Sequence, residues 1–314
     1  MKSVITKTNF NFRGIKSKYE GKVRDVYTLS NNNIIVIATD RISAFDVIMP
    51  KGITYKGQIL NQISTEMLNK TNDIVDNWLI SSPDPNISYG KKCKPFKIEM
   101  VVRGYLSGHS YRLYKSGLRN ICGNIIPKKM NENDQFKEPI ITPTTKAEIG
   151  SHDQDISPVD IISNKILDKK MYDKLHSISL ELFNRGTEIA KNSGLILVDT
   201  KYEFGLDLEN NIVLIDEIHT PDSSRYFYLD SYNHLQNNKL KQKQLSKEFF
   251  REWLMENDFQ GKEGQKIPHI SKETIDLISS RYIELYEKLM NKKFLKDCNL
   301  DINERMKLNM SNFL

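Results

Sequence analysis

Two acidic residues in the stretch 194–227 have the types and spacing of a metal site. The stretch predicts two antiparallel strands, and a turn centred on residues 209–210 would place Glu203 directly opposite Asp216. Opposite residues on antiparallel strands have Cβ atoms roughly 4.5–5.5 Å apart. Two carboxylates that close repel each other unless a cation or a proton lies between them, and Mg²⁺ prefers oxygen ligands. The pair therefore predicts a Mg²⁺ site, although a shift of one residue in register would separate the two side chains.

The same residues also suit an exposed hairpin with a solvated, charged face, which is common in antiparallel sheets. Asp216, however, follows three apolar residues, where a carboxylate without a function is unfavourable. Strand alternation places Asp199 and Lys201 on the face of Glu203, so the lysine could contact an anion. The turn that follows ends in Arg225, whose guanidinium can bind a phosphate or a carboxylate with two hydrogen bonds. These neighbours favour a functional site.

A second group of charges lies near the N-terminus, where residues 19–27 read YEGKVRDVY. Lys22 and Arg24 follow Gly21 as alternate residues of an opening strand, so both cations would point to one side and could cover a triphosphate. The segment is not a P-loop, because the GxxxxGK[ST] pattern is absent. An edge strand protected by charges would explain the same residues.

The composition limits the classes of function. The chain has 314 residues, of which 39% are hydrophobic, and a net charge of +6 from 46 basic and 40 acidic residues. It can bury a core, but it shows no basic run with interleaved aromatics for nucleic acid and no stretch of about 18 apolar residues for a membrane. Three separate cysteines and an N-terminus without a signal-type apolar segment suit a reducing compartment. We therefore expect a cytoplasmic protein with neither a nucleic-acid nor a membrane partner.

The elements that must position these charges follow from hydrophobic spacing. Strands are predicted over 23–29, 34–39, 97–103, 195–208 and 212–218, and helices over 56–69 and 104–115. Ser157 can cap a helix that runs towards Gly194 and is long enough to be two helices, and Ser246 can cap another. Strands dominate the first third, which predicts an α+β fold with a smaller sheet-rich domain, 1–100, packed on a larger one, 101–314.

Seven segments occur in an order that resembles the SAICAR synthase family: YEGKVRDVY, ATDRISAFDVIMP, KGQILNQIS, EMVVRGYLSG, ITPTTKAEIGSHDQDIS, LILVDTKYEFGL and DEIHTPDSSRYF. They cover about residues 19 to 227, and the length and the TPTTKAE insertion resemble the long form of the family. The resemblance implies a small antiparallel-sheet N-terminal part packed on a larger α+β part, with an ATP cleft between them. It also implies ATP- and Mg²⁺-dependent ligation of L-aspartate to carboxyaminoimidazole ribotide (CAIR), giving SAICAR, ADP and phosphate in purine biosynthesis. The long form implies a monomer rather than a dimer.

The resemblance further implies a role for individual residues. Those implied for the nucleotide are Gly21, Lys22, Arg24, Glu99 and Val101, and those implied for Mg²⁺ are Glu203 and Asp216. Those implied for the ribotide are Arg103, Ser224 and Arg225 at its phosphate and Lys201 near its carboxylate. Those implied near the substrates are Asp40, Arg41, Ser43 and Asp46, with His152 and Asp153 near aspartate. At the phosphate many relatives carry a serine where this chain has His109, so either His109 or the next residue, Ser110, would supply the contact.

The chemistry implied is activation of a carboxylate, which does not react with an amine unaided. Transfer of the γ-phosphoryl group of ATP would give an acyl phosphate, which the aspartate amine would attack, with Asp199 as a candidate base. One alternative is a kinase-like phosphotransferase acting on a hydroxyl, but the HRD and DFG motifs are missing. The other is a nucleotide- or RNA-binding module without turnover, against which the paired carboxylates argue.

Overall fold

The computed structural model of the chain describes residues 4–146, 153–296 and 301–313. In chain order the strands are β1 (Ile15–Glu20), β2 (Arg24–Leu29), β3 (Asn33–Ala38), β4 (Ser43–Ala44), β5 (Val47–Ile48), β6 (Leu79–Asp84), β7 (Ile87–Lys91), β8 (Lys94–Tyr105), β9 (Asn120–Ile121), β10 (Asn124–Ile125), β11 (Gln135–Ile141), β12 (Thr144–Thr145), β13 (Leu195–Leu206), β14 (Ile212–Ile215), β15 (Ser224–Tyr228) and β16 (Gln244–Leu245). The helices are α1 (Lys56–Asn69), α2 (Gly108–Lys115), α3 (Pro158–Ser163), α4 (Lys169–Asn192), α5 (Leu229–Asn237), α6 (Glu248–Glu256), α7 (Lys272–Met290) and α8 (Ile302–Phe313).

Two antiparallel sheets organise the molecule. The N-terminal sheet has the order β1-β2-β3-β7-β6, and the central sheet has the order β11-β8-β13-β15-β16, with β12 added to β8 and β14 to β13. The chain passes from one sheet to the other between β7 and β8, at residues 92–93. The predicted α+β class is confirmed.

The hydrophobic cores follow the two sheets. The N-terminal sheet buries Tyr27, Ile35 and Ile37 together with Met306 and Met310 of α8, so the last helix completes the core of the first sheet. The larger core lies between the central sheet and helices that include α1, α4 and α7. Strand β8 runs through residue 100, so no end of an element marks the predicted division of the chain there. That division stays a prediction.

The helix signals in the sequence are confirmed where capping is local. The run after Ser157 is two helices, α3 and α4, and the Ser157 hydroxyl accepts the backbone N–H of Asp160 at 3.1 Å. Gly194 follows α4 with φ +70°, a conformation that glycine adopts without strain. The Ser246 hydroxyl accepts the backbone N–H of Glu248, the first residue of α6, at 3.2 Å.

None of the helices within the described ranges combines the length and the apolar character that crossing a membrane requires.

Candidate active site

Four charged side chains meet where β13 lies beside β8 in the central sheet. Lys201 and Glu203 are alternate residues of β13, and Glu203 lies opposite Glu99 of β8. The Lys201 ammonium donates to Glu99 at 2.7 Å and also to Glu203. Lys146, which follows β12, binds the second oxygen of Glu203. These four residues, named here the Lys201 cluster, confirm the shared face of Lys201 and Glu203 that alternation predicts.

The Lys201 cluster is balanced in charge although it is poorly hydrated. Glu99 and Glu203 are 7% and 6% exposed. Burial would raise the pKa of Glu203, but Lys201 and Lys146 outweigh it and hold that pKa far below the usual range. Burial raises the pKa of Glu99, and Lys201 offsets only part of the effect. Burial would lower the pKa of Lys201, but the two carboxylates raise it. The cluster therefore presents an ammonium ion and a carboxylate whose ionised form is favoured, side by side.

The predicted pairing of Glu203 with Asp216 is wrong by one residue. Glu203 lies opposite Ile215, because the loop is closed around Asp207, whose carboxylate accepts the backbone N–H groups of Glu209 and Asn211 at 2.9 Å. The second strand was expected to reach residue 218 but ends at Ile215. Asp216 follows with φ +65°, outside the extended region, so it leaves the sheet ladder.

Asp216 instead faces the N-terminal sheet. Arg24, at the start of β2, binds Asp216 with one guanidinium nitrogen and Glu217 with another. The indole N–H of Trp78 donates to the carbonyl of Asp216 at 2.9 Å and fixes the backbone there. Arg24 thus joins the N-terminal sheet to the loop after β14, while Lys22 turns away to bind Asp46 near the surface.

The donor set of the expected metal site is small. Within the described ranges no group of three or more His, Cys, Asp or Glu residues could hold a metal ion by itself. Mg²⁺ commonly takes only one or two protein carboxylates and fills its remaining positions with phosphate oxygens and water. Glu203 is bound by Lys146, and Asp216 and the adjacent Glu217 are bound by Arg24, so the shared use of Glu203 and Asp216 for Mg²⁺ stays a prediction.

Two arginines, Arg103 and Arg225, lie beside Asp199 in the first half of β13. The Arg103 guanidinium lies 3.7 Å from Asp199 and donates to the Thr142 hydroxyl at 2.8 Å. The Arg225 guanidinium donates to the same Asp199 at 3.1 Å and to the Ser107 hydroxyl at 2.6 Å. A cavity of about 670 Å³ borders Arg225 and Ser107. The structure thus brings the expected phosphate-binding arginines together with Asp199 between them.

Ser224 and the pair at the start of α2 lie around these arginines. The Ser224 hydroxyl is 2.7 Å from that of Thr200. Ser110 is fully buried and donates to the carbonyl of Ser107 at 2.9 Å. His109 has 46% of its side chain exposed, and its Nε2 lies 2.7 Å from Asp155. Of the two candidates left open by the sequence, His109 is therefore the one that a ligand can reach.

The side chains of Asp40 and Arg41 are buried and bind backbone groups rather than lining an open surface. Asp40 is 1% exposed and accepts the backbone N–H groups of Ile5 and Gly57, both at 2.9 Å, while burial raises its pKa to about 6. Arg41 is 6% exposed and donates to the carbonyl of Gly21 at 2.8 Å. Their expected place near the substrates stays a prediction, and their burial indicates that they would act there through the backbone they bind.

Arg41 shapes the glycine turn instead. Besides the carbonyl of Gly21, it contacts the carbonyl of Lys22 at 3.2 Å and the carboxylate of Asp25 at 2.8 Å. The N–H of Gly21 donates to the carbonyl of Arg24 at 2.8 Å, and a Cβ on Gly21 would lie 3.1 Å from that oxygen. The tight turn therefore favours glycine.

The remaining sequence-predicted residues are placed as follows. Glu99 and Val101 lie in the middle of β8, away from the link at 92–93, and their expected contact with the nucleotide stays a prediction. Ser43 lies in β4 and is partly exposed, and Asp153 is exposed before α3. His152 lies outside the described residues.

Three charged residues of the site were missed from the sequence. Lys146 binds Glu203, Glu217 binds Arg24 and Asp155 binds His109. Each lies in a segment that was singled out for other residues, so a signal existed. These residues could not be assigned to the site from the sequence, because their charged partners, Glu203, Arg24 and His109, lie in distant parts of the chain.

Comparison with known proteins identifies the family. Residues 17–268 match the SAICAR synthetase family model. A phosphoribosylaminoimidazole-succinocarboxamide synthase of Flavobacterium psychrophilum is 56% identical over 312 residues, 99% of each chain. One of Bacteroides thetaiotaomicron is 55% identical over 310 residues, 99% of this chain and 98% of that one. The solved SAICAR-synthase of Saccharomyces cerevisiae complexed with SAICAR is 31% identical, with a TM-score of 0.76 over 92% of this chain and 99% of that chain. With the match spanning most of its length, the chain belongs to the SAICAR synthetase family.

Proposed function

We propose that this protein is an ATP-dependent ligase that joins the amine of L-aspartate to the carboxylate of CAIR, giving SAICAR, ADP and phosphate in purine biosynthesis. The observation that carries the proposal is the Lys201 cluster, in which a half-buried ammonium and an ionised carboxylate lie on the central sheet, in a chain whose relatives share its full length. The ammonium can bind an anionic carboxylate, and the carboxylate could hold a Mg²⁺ ion that neutralises a phosphoryl group.

The first step is transfer of the γ-phosphoryl group of ATP to an oxygen of the CAIR carboxylate. It breaks the bond between the γ-phosphorus and its bridging oxygen and gives an acyl phosphate and ADP. Positioning and neutralisation of charge account for most of the catalysis of such transfers. Lys201 orients the CAIR carboxylate, and Arg24 is placed to meet phosphate oxygens once it leaves Asp216.

Mg²⁺, held by Glu203 and Asp216, would neutralise phosphate charge when bound. Lys146 is the partner of Glu203 that can move aside, because 41% of its side chain is exposed. The fixed negative charge of Glu203 suits a cation ligand, since its pKa is held low and it needs no deprotonation.

The second step forms the amide. The aspartate nitrogen attacks the acyl carbon, the bond to the phosphate oxygen breaks, and the proton that the amine loses passes to the released phosphate or to solvent. Asp199 was the candidate base, but its carboxylate is held by Arg103 and Arg225. Both guanidinium groups contact the same oxygen, Oδ2, of that carboxylate. We therefore propose that Asp199 orients the two arginines for the ribotide phosphate.

We also propose that the enzyme acts as a cytoplasmic monomer on small molecules, without a nucleic-acid or membrane partner. The support is the sparse, separated cysteines, the mild net charge of +6 and the likeness to the long form of the family.

The test is ADP release by the purified protein with ATP, Mg²⁺ and CAIR, with and without L-aspartate. ADP and SAICAR appearing together, and only with aspartate, is the expected result. ADP formation that ignores aspartate and CAIR would contradict the proposal and indicate an ATPase or another phosphoryl acceptor. Tight nucleotide binding without turnover would indicate a binding module.

A further inference from the structure

A buried carboxylate, Asp222, lies in the loop that joins β14 to β15, named here the 216–223 loop. Its side chain is 4% exposed and is shared by groups from three helical regions. The ammonium groups of Lys56 in α1 and Lys247 before α6 lie 2.9 Å and 3.3 Å from Oδ2. The Tyr282 hydroxyl of α7 donates to Oδ1 at 2.6 Å. Asp222 therefore ties the loop to α1, α6 and α7 at one point.

The ion pairs at Asp222 are fixed by their burial. The side chain of Lys56 is 0% exposed and that of Lys247 is 13% exposed. Within the described ranges Asp222 is the only carboxylate that either lysine pairs with. Burial would raise the pKa of Asp222, but Lys247 and Lys56 outweigh it and hold that pKa well below its usual range. Moving the carboxylate away would leave two buried charges uncompensated, which is costly.

The first end of the 216–223 loop carries the carboxylates that face the N-terminal sheet. Asp216 and Glu217 are both bound by Arg24. The Thr220 hydroxyl donates to Glu217 at 2.9 Å and accepts the backbone N–H of Asp222 at 3.3 Å. A single hydroxyl thus connects Glu217 to the backbone of the anchored residue.

The second end of the loop lies beside the Lys201 cluster. The backbone N–H of Lys201 donates to the carbonyl of Ser223 at 3.1 Å. Strand β15 begins at the next residue, and Arg225 lies opposite Asp199 in its register with β13. Because Asp222 directly precedes Ser223, a shift of its carboxylate would move this backbone contact and the start of β15 together.

We propose that Asp222 is a positioning residue for the ligation: its buried contacts hold the 216–223 loop so that Asp216 at one end and Arg225 at the other keep their places relative to Lys201. The inference rests on the proposed function, because it assigns the loop to the site that receives CAIR and Mg²⁺. A loop that is in place for only a fraction of the time lowers the apparent affinity of every ligand that needs it by that same fraction. Loosening Asp222 should therefore weaken CAIR and Mg²⁺ together.

The first test is Tyr282→Phe, which removes one hydrogen bond to Asp222 and no charge. Tyr286→Phe is the matched control, since it makes the same exchange one turn along α7, at a buried tyrosine whose hydroxyl has no hydrogen-bond partner within the described residues. The full-length proteins are compared for the KM for CAIR, the Mg²⁺ concentration at half-maximal turnover, kcat, Tm and hydrogen exchange of residues 217–225.

In Tyr282→Phe we expect the KM for CAIR and the half-saturating Mg²⁺ concentration each to rise about fivefold, the effect of losing one hydrogen bond. Hydrogen exchange at residues 217–225 should quicken, and kcat with both ligands saturating should change little. The rise in KM should shrink as Mg²⁺ is increased, because metal bound at one end of the loop would already hold it in place for CAIR. Tyr286→Phe should behave as wild type does.

A charge-balanced pair of variants separates position from stability. Asp222→Asn alone leaves two buried lysines without a counter-charge, so its Tm should fall. Adding Lys56→Met removes the fully buried ammonium and returns the net charge of the group to that of wild type. The double variant should recover most of the Tm, while its KM for CAIR and its Mg²⁺ requirement should stay raised.

Four outcomes would overturn the inference. An unchanged KM for CAIR in Tyr282→Phe, whatever its Tm, would make Asp222 a structural brace. An equal rise in Tyr286→Phe would indicate a general effect of α7. Unchanged exchange at residues 217–225 would mean that Asp222 does not hold the loop. A double variant in which KM recovers along with Tm would leave charge balance as the whole explanation. If wild type forms no ADP that depends on CAIR, the proposed function fails, and the exchange rates still decide whether Asp222 holds the loop.

Discussion

Glu203 has both carboxylate oxygens bound by lysines, but the two lysines differ in their surroundings. Lys201 lies in the middle of β13 and is also held by Glu99, whereas Lys146 follows β12 and is more exposed. Removing one partner of a buried ion pair leaves an uncompensated charge, which is costly. We infer that Lys201 is the fixed partner and Lys146 the exchangeable one, because a Mg²⁺ ion at Glu203 would supply positive charge in place of the Lys146 ammonium.

The first prediction concerns the two expected metal ligands. Glu203→Gln and Asp216→Asn should each lower kcat by about 10²-fold or more, the usual effect of losing a group that stabilises transition-state charge. Far-ultraviolet circular dichroism and Tm should show an intact fold. Glu209→Gln, an exposed carboxylate in the turn of the same hairpin, is the control and should leave kcat unchanged. Near-wild-type turnover in either site variant would remove the shared role of the two carboxylates in holding Mg²⁺.

The residues of β13 show what sequence alone can predict about a site. Alternation is a property of any extended strand, so the common face of Lys201 and Glu203 could be predicted from their spacing. The place of Asp216 could not, because it depends on a turn register that Asp207 sets through hydrogen bonds to the backbone. Arg24, its partner, is 192 residues away.

At the scale of elements, the glycine turn between β1 and β2 depends on a residue outside it. Arg41 donates to the carbonyls of Gly21 and Lys22, and its planar fork allows several such bonds at once. The segment around Arg41 was recognised as a signature near the substrates, but its burial and its bonds to the turn are tertiary properties. We infer that Arg41 acts on ATP through the shape of this turn.

The second prediction tests that role with Arg41→Lys, which keeps the positive charge near Asp25 but loses the fork of donors. The KM for ATP should rise about fivefold, as expected for losing about 1 kcal/mol of hydrogen bonding to the turn. The KM for CAIR should stay unchanged, because the phosphate region of the ribotide lies on the central sheet. Arg13→Lys is the same exchange at an exposed site and should have no effect. Equal rises in both KM values would indicate a general loss of structure instead.

The third prediction concerns α6, which places Glu248 against Arg225 and Arg251 at 3.3 Å and 3.2 Å. Burial would raise the pKa of Glu248, but the arginines outweigh it and lower the pKa from 4.5 to about 2. Since the folded pKa is below the unfolded one, the stabilisation is full above about pH 4.5 and is lost as pH falls towards 2. Glu248→Gln should therefore reduce the free energy of unfolding by up to about 3 kcal/mol at neutral pH.

Urea unfolding of wild type and Glu248→Gln at several pH values measures this effect. The difference between the two proteins should shrink as pH falls below about 4.5. Glu256→Gln, at the exposed end of the same helix, is the control and should differ from wild type by less than about 1 kcal/mol at every pH. A difference for Glu248→Gln that stays constant as pH falls would show that packing, rather than charge, accounts for it.

At the scale of the whole molecule, the ends of the chain meet. The core of the N-terminal sheet contains Ile5 and Phe10 from the first residues and Met306 and Met310 from α8. The sequence predicts a helical tail, but its apolar spacing cannot indicate which of two cores the tail joins. That choice is made by contacts such as the one between Arg305 and Asp84, 221 residues apart.

The fourth prediction is that α8 is required for the stability of the N-terminal sheet. Arg305 donates to both oxygens of Asp84, at 3.0 Å and 3.1 Å, and to Asn86 at 2.6 Å, and all three residues are buried. Arg305→Met should lower the free energy of unfolding by about 3–5 kcal/mol, because it leaves Asp84 as a buried carboxylate without its cation. Lys307→Met, on the exposed face of the same helix, makes the same exchange of a cation for methionine and should cost little.

Hydrogen exchange of Arg305→Met shows where that stability is lost. Exchange should quicken in β6, β7 and α8 and stay slow in β13, because Arg305 braces the N-terminal sheet and not the Lys201 cluster. Since the glycine turn lies on the same sheet, the KM for ATP should rise before kcat falls as the temperature approaches the Tm of the variant. Uniform acceleration across both sheets would mean that the molecule opens as one unit, and the tail would then stabilise the whole fold rather than the N-terminal sheet alone.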